Sequence, residues 1–151
     1  MIRQRLNDAL KAAMKAKEEL SVSTLRLILA ALKDRDIAAR TKGKKDGIPD
    51  EEVLGLLQSM IKQRRESIAA YEKGGRQDLA QKEAGEIAII EGFLPQQMSE
   101  AEMAKAIDSV IESVAAASLK DMGKAMAALK QQFAGQMDFA KASALVKQRL
   151  S

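Results

Sequence analysis

The chain has no cysteine, no histidine and no tryptophan among its 151 residues. Without cysteine it can form neither a disulfide framework nor a thiolate metal site, which fits a reducing compartment. Without histidine it lacks the ligand that carboxylate-bridged di-metal helical bundles normally take from Glu-x-x-His pairs. Aromatic residues are only 3% of the total, so a core must be built from Leu, Ile, Val, Met and Ala. Those residues, with only two prolines, favour helix over sheet. No apolar run approaches the ~20 residues of a membrane span. The first five residues, Met1 to Arg5, open a charged amphipathic pattern rather than a signal peptide. The expectation is a soluble, cytoplasmic protein with no membrane association. At 16.4 kDa it suits one compact domain or two small ones.

Charge leans basic, but mildly. The 25 Lys and Arg outnumber the 21 Asp and Glu, for a net charge of +4. Residues 1–95 hold 18 basic and 15 acidic side chains and residues 96–151 hold 7 and 6, so neither part is a basic arm. Most of these charges can be interspersed pairs on solvated helix faces.

Hydrophobic spacing predicts seven helices. Ile2, Leu6, Leu10, Ala13 and Met14 mark the first. Ser21 or Ser23 is placed to cap the second, with Val22, Leu25, Ile28, Leu29 and Leu32 inward. Residues 41–49, with two glycines, three lysines and a proline, read as a mobile loop that cannot pack. Pro49 and Asp50 open the third helix, with Val53, Leu56, Leu57, Met60, Ile61, Ile68 and Tyr71 inward, and Gly74-Gly75 closes it. The fourth runs from about Gln77 to Glu91, and Gly92 with Pro95 stops it. The stretch from Leu94 to Met98 is the expected domain hinge.

Two helices carry charge where their apolar stripes should be. At ~100° per residue, Arg64 falls within the arc of Val53, Leu57, Met60 and Tyr71. Glu83 and Glu86 fall within that of Leu79, Ile87 and Ile90. A glycine turn between these helices makes them antiparallel neighbours, so the guanidinium and the carboxylates should pair. A Glu83/Glu86 metal or acid/base dyad is the competing reading, and the missing histidine weighs against it.

The last third reads as three short helices. Ser99 and Glu102 form a capping box before Met103, Ile107, Val110, Ile111 and Val114. Ser118 and Asp121 repeat a weaker start signal before Leu119, Met122, Met126, Leu129 and Phe133. Gly135 breaks the chain, and Asp138 can cap a final helix with Phe139, Ala142, Leu145, Val146 and Leu150 inward.

The run from Asp121 to Met126, the Gly135 break and the ending from Ala142 to Leu150 resemble the C-terminal domain of the GatB/YqeY family. That domain also ends the B subunit of the tRNA-dependent amidotransferase. The resemblance continues through Thr24–Arg26, Lys62–Ser67, Tyr71, Gly75–Ala80 and Phe93–Ser99, and points to the free-standing YqeY-like branch. It implies an association with carbon-nitrogen ligases that use glutamine as amido-nitrogen donor. Glutamine hydrolysis, however, needs an activated nucleophile, usually Cys with His or Ser with Lys, and ATP use needs a phosphate-cradling loop. Cys and His are absent, and Gly74-Gly75 lacks the P-loop lysine and serine, so no catalytic residues, metal site or cofactor are expected.

What the resemblance implies instead is tRNA engagement, carried in particular by Gly123 and Lys124, with Lys120 and Lys130 beside them. Lys141, Lys147 and Arg149 lie on the last helix. Plain solubilising lysines would look the same in sequence. No stacking aromatics accompany them, so single-stranded RNA would not be read by sequence, and DNA is not expected. A second basic group, Arg26, Lys33 and Arg40 at seven-residue spacing with Lys42, Lys44, Lys45, Lys62 and Arg65, could form a positive rim or merely cover the border of an apolar stripe.

The reading is an all-α protein with an N-terminal four-helix domain over 1–95 and a C-terminal three-helix domain over 96–151. Its expected role is that of a tRNA-associated, non-catalytic accessory. The alternative is a helical adaptor docking a protein partner such as an aminoacyl-tRNA synthetase or amidotransferase.

Overall fold

A computed structural model describes residues 1–151, all of them helix, turn or loop, with no strand. The chain forms two compact units, Met1–Leu94 and Pro95–Ser151.

The first unit contains α1 (Ile2–Ala16), α2 (Glu19–Thr41), α3 (Asp50–Lys73) and α4 (Gln77–Glu91). Leu6, Leu25, Ile28, Val53, Leu57 and Ile90 are almost wholly buried in its core. None of these amphipathic helices could hold its apolar face out of water alone, so packing supplies most of their stability. Between α3 and α4 the chain turns at Gly75, whose φ of 73° is left-handed. The Arg76 N–H donates to Tyr71 O and the Gly75 N–H to Glu72 O, a Schellman closure that needs a glycine-like residue at that position. Arg5 ties the ends of the unit together, donating to Gly92 O at 3.1 Å and lying 5.5 Å from the Phe93 ring centre.

Two expectations are corrected here. α2 begins at Glu19, before both candidate serine caps, because Lys17 adopts a left-handed turn at φ 57° and starts the next helix early. Ser23 lies inside the helix, its hydroxyl donating to Leu20 O at 3.1 Å.

The loop after α2 does pack. Ile48 is buried, and the Asp36 carboxylate accepts from the Ile48 N–H at 2.9 Å and from Arg3 Nη2 at 2.7 Å. The same Arg3 nitrogen donates to Ile48 O at 2.8 Å. Gly47 precedes this clamp at φ 83°, where any Cβ would run into the Asp36 carboxylate. Burial alone would raise the Asp36 carboxyl, but the Arg3 and Ile48 hydrogen bonds and the charges of Arg3 and Arg40 together hold it below its ordinary value.

The second unit contains α5 (Glu100–Ser113), a short 3-10 turn (Leu119–Asp121), α6 (Met122–Gln132) and α7 (Phe139–Leu150). Ile107, Val110, Ala125, Leu129, Met137, Ala142 and Val146 form its core, which is separate from that of the first unit.

Candidate nucleic-acid interface

The helix starts of the second unit determine where its charges end up. Ser99 and Glu102 form the full capping box of α5, the hydroxyl accepting from the Glu102 N–H and the carboxylate from the Ser99 N–H. α5 ends with Ala115 at φ 54°, a left-handed residue that is not glycine. The Asp121 carboxylate then accepts from the Ala117 N–H at 2.9 Å and the Ser118 N–H at 3.3 Å. Those two bonds, and the nearby Lys124 charge, hold its carboxyl below the usual range. Asp138 caps α7, accepting from the Ala140 N–H at 2.9 Å.

This arrangement sorts the charges by sign. Four of the unit's acids, Glu100, Glu102, Asp108 and Glu112, lie on α5 beside a single basic residue, Lys105. From Val114 to Ser151 there are six basic side chains, Lys120, Lys124, Lys130, Lys141, Lys147 and Arg149, against two acids, Asp121 and Asp138. The net is therefore +4 for that stretch, and both of its acids are committed to backbone amides. Arg149 pairs with Asp108 of α5, whereas the five lysines form no ion pair.

Lys120, Gly123, Lys124 and Lys130 are all exposed, and they stand at different angles around the start and length of α6. Lys120 sits in the 3-10 turn ahead of α6, and Leu119, expected inward, is exposed. On α6, at ~100° per residue, Lys130 lies about 20° from Gly123 but about 120° from Lys124. The two lysines of α6 therefore flank the Gly123 side rather than stacking along a single line. Gly123 has no packing reason to be glycine: its φ is not left-handed and an added Cβ would meet nothing within 4 Å. An exposed helical glycine costs roughly 0.5–1 kcal/mol relative to alanine, so the fold alone does not account for it.

The second candidate site closes on itself. Arg64 Nε donates to Glu86 Oε2 at 2.8 Å and lies 3.9 Å from Glu83 Oε2. Arg64 Nη1 also donates to Met60 O at 3.2 Å, and the Glu86 side chain is only 9% exposed. This is the pairing expected from the interrupted stripes: both carboxylates face a cation held between α3 and α4.

The rim of basic residues is only partly a rim. Lys44 lies 3.8 Å from Glu52 and Arg65 lies 3.4 Å from Glu91, which neutralises two of its members. Lys33 and Arg40, in contrast, line a cleft of about 310 Å³ with Arg3, Asn7, Leu29 and Ile37. Sequence periodicity could not reveal this cleft, because Arg3 and Asn7 come from a different helix.

A model of the family described as Yqey-like protein matches residues 3–150. Curated relatives carry the name altered inheritance of mitochondria protein 41, mitochondrial. That of Kluyveromyces lactis is 39% identical over 89 residues, covering 58% of this chain and 45% of the relative. That of Lachancea thermotolerans is 36% identical over 109 residues, covering 70% and 56% respectively. That of Saccharomyces cerevisiae strain YJM789 is 33% identical over 91 residues, covering 60% and 47%. The chain thus spans about half the length of the curated relatives it matches. Their names overturn the cytoplasmic expectation. The absence of cysteine and of an apolar span fits any reducing aqueous compartment, so neither feature selected the cytoplasm.

Proposed function

We infer function from the premise that this chain belongs to the YqeY-like protein family, whose model spans nearly all of it. The reading is a tRNA-associated, non-catalytic accessory that holds folded RNA by its phosphates through the second unit. The relatives' names bring a mitochondrial setting with them. One observation carries the reading: from Val114 onward five lysines stand without an ion pair while both acids are turned to helix caps. A polyanion meeting this surface displaces counterions without first breaking salt bridges.

Chemistry of recognition follows from what surrounds the lysines. The two phenylalanines of the unit, Phe133 and Phe139, are partly buried and pack against its core. Contact with phosphate and shape is therefore favoured over base reading. Gly123, open and flanked by Lys124 and Lys130, lets a backbone approach that a side chain would keep at a distance.

Binding of tRNA, measured by filter retention across a salt series, tests the proposal. Each phosphate contact should contribute about 0.7 to 0.9 to the slope of log affinity against log salt. Replacing Lys120, Lys124 and Lys130 together by Glu should abolish retention while the melting curve stays unchanged. Gly123→Ala should separate the two properties, raising stability by roughly 0.5–1 kcal/mol while weakening retention. No retention by the unaltered protein at low salt would remove the RNA reading.

A second reading, the docking of a protein partner in tRNA aminoacylation or amidation, draws on a different surface. Leu27 and Ile37 of α2 are large apolar side chains about half exposed to solvent. Apolar docking there would show a nearly flat salt dependence.

A further inference from the structure

We propose that the cleft between α1 and α2 is a binding site for a small phosphate-bearing molecule, gripped by Lys33 and Arg40. Both side chains lie on one face of α2, seven residues and two turns apart, about 10 Å along the axis. Their flexible stems let the two cationic heads converge on one group or hold the two ends of a longer one. A diphosphate offers two anionic groups, so it can engage both heads at once where a single compact anion cannot do so as readily.

Neither of these two cations forms an ion pair. Asp36, its one acid, has Oδ1 engaged by Arg3 and by the Ile48 N–H. Asp36 is hydrogen-bonded to Arg3 and feels Arg40 only through its charge, and neither Lys33 nor Arg40 lies within 4 Å of a carboxylate. With Arg3, Lys33 and Arg40 against Asp36, the cleft holds a net charge of +2. Its remaining wall is apolar: Leu32 is buried, Leu29 is partly buried, and Ile37 stands about half exposed. A ligand with a charged end and an organic body meets both kinds of surface there, an arrangement typical of small-molecule sites. The clamp also holds Arg3 in place, so the wall on the α1 side is set before a ligand arrives.

This site is independent of the lysines assigned to RNA, and its test keeps the two apart. The full chain, labelled with nitrogen-15, is titrated at low salt with inorganic phosphate, pyrophosphate and adenosine diphosphate. Saturable amide shifts should cluster at Asn7, Lys33, Ile37 and Arg40, with pyrophosphate binding more tightly than phosphate. The Lys33→Ala/Arg40→Ala double variant should lose at least about tenfold in affinity. Both side chains are exposed, so this variant should melt like the parent. The Lys120→Glu/Lys124→Glu/Lys130→Glu variant should bind pyrophosphate as the parent does. Absence of saturable shifts at millimolar ligand, shifts centred elsewhere, or unchanged affinity in the double variant would overturn the proposal. Displacement of bound pyrophosphate by tRNA from this cleft would also overturn it, by making the cleft part of an RNA surface.

Discussion

Removing Arg64 should destabilise the first unit far more than removing any other cation in it. The side chains of Arg64 and Glu86 are 12% and 9% exposed, close to the fully buried limit. Breaking such a pair leaves an uncompensated charge and typically costs about 3–5 kcal/mol. Here Arg64→Met would leave two carboxylates, Glu83 and Glu86, three residues apart on one helix face with no cation between them. Glu83 is about one-fifth exposed and can still reach water, which places the expected cost near the lower end, about 3 kcal/mol. For a unit of this size, that lowers its melting temperature by roughly 10–20 °C. The informative variant is the double one, Arg64→Met with Glu86→Leu, because it removes both desolvated charges at once. It should recover to within about 1 kcal/mol of the parent, since apolar replacement of a buried pair is often neutral. Urea unfolding of the full chain, followed by circular dichroism, measures all four corners of the cycle. Costs that simply add, or an Arg64→Met variant as stable as the parent, would refute the idea that the pair is a closed structural network.

Two further predictions concern the backbone and the loop clamp. Ala115→Gly should stabilise the second unit by about 0.5–1 kcal/mol in thermal melts, because alanine at φ 54° bears a left-handed penalty that exceeds glycine's entropic cost. Asp36→Asn should cost about 1–2 kcal/mol at neutral pH, because an amide oxygen is a weaker partner for Arg3 and the Ile48 N–H. Since the folded carboxyl titrates below its ordinary 3.8, its contribution is complete above that value and is lost as pH falls through the lower, folded one. The parent should therefore lose more stability than Asp36→Asn between about pH 6 and pH 3, as read from melting temperatures.

What the sequence revealed, it revealed where a local rule and the tertiary fold agree. Ser99 with Glu102, Asp138 ahead of α7, and the Gly74-Gly75 turn are local signals, and each sits where its spacing placed it. The Arg64 pairing was legible for a related reason: a charge interrupting an apolar arc needs a partner, and a tight turn allowed only one neighbouring helix. The loop clamp was hidden because Asp36 draws its partners from 33 residues before it and 12 after it. Its composition of lysine and glycine pointed to a mobile loop that cannot pack, while the buried Ile48 supplied the anchor. The left-handed Lys17 and Ala115 were hidden as well, since neither residue type announces that conformation. Seryl caps were accordingly placed at Ser21 or Ser23, three and five residues after the observed N-cap, Glu18.

Charge gives the sharpest contrast between composition and arrangement. Residues 96–151 carry 7 basic and 6 acidic side chains, a tally that argues against any polyanion surface. Folding concentrates four of those acids on α5 and turns the other two towards backbone amides. At physiological ionic strength charges are screened over about 8 Å, whereas a helix with its side chains is about 10–12 Å across. A phosphate on α6 is therefore largely screened from any acid lying a full helix diameter away. Asp108 is the exception, since it reaches Arg149 and removes one cation from the basic side. The salt dependence of RNA binding should consequently reflect the five unpaired lysines, and Arg149→Ala should change it little.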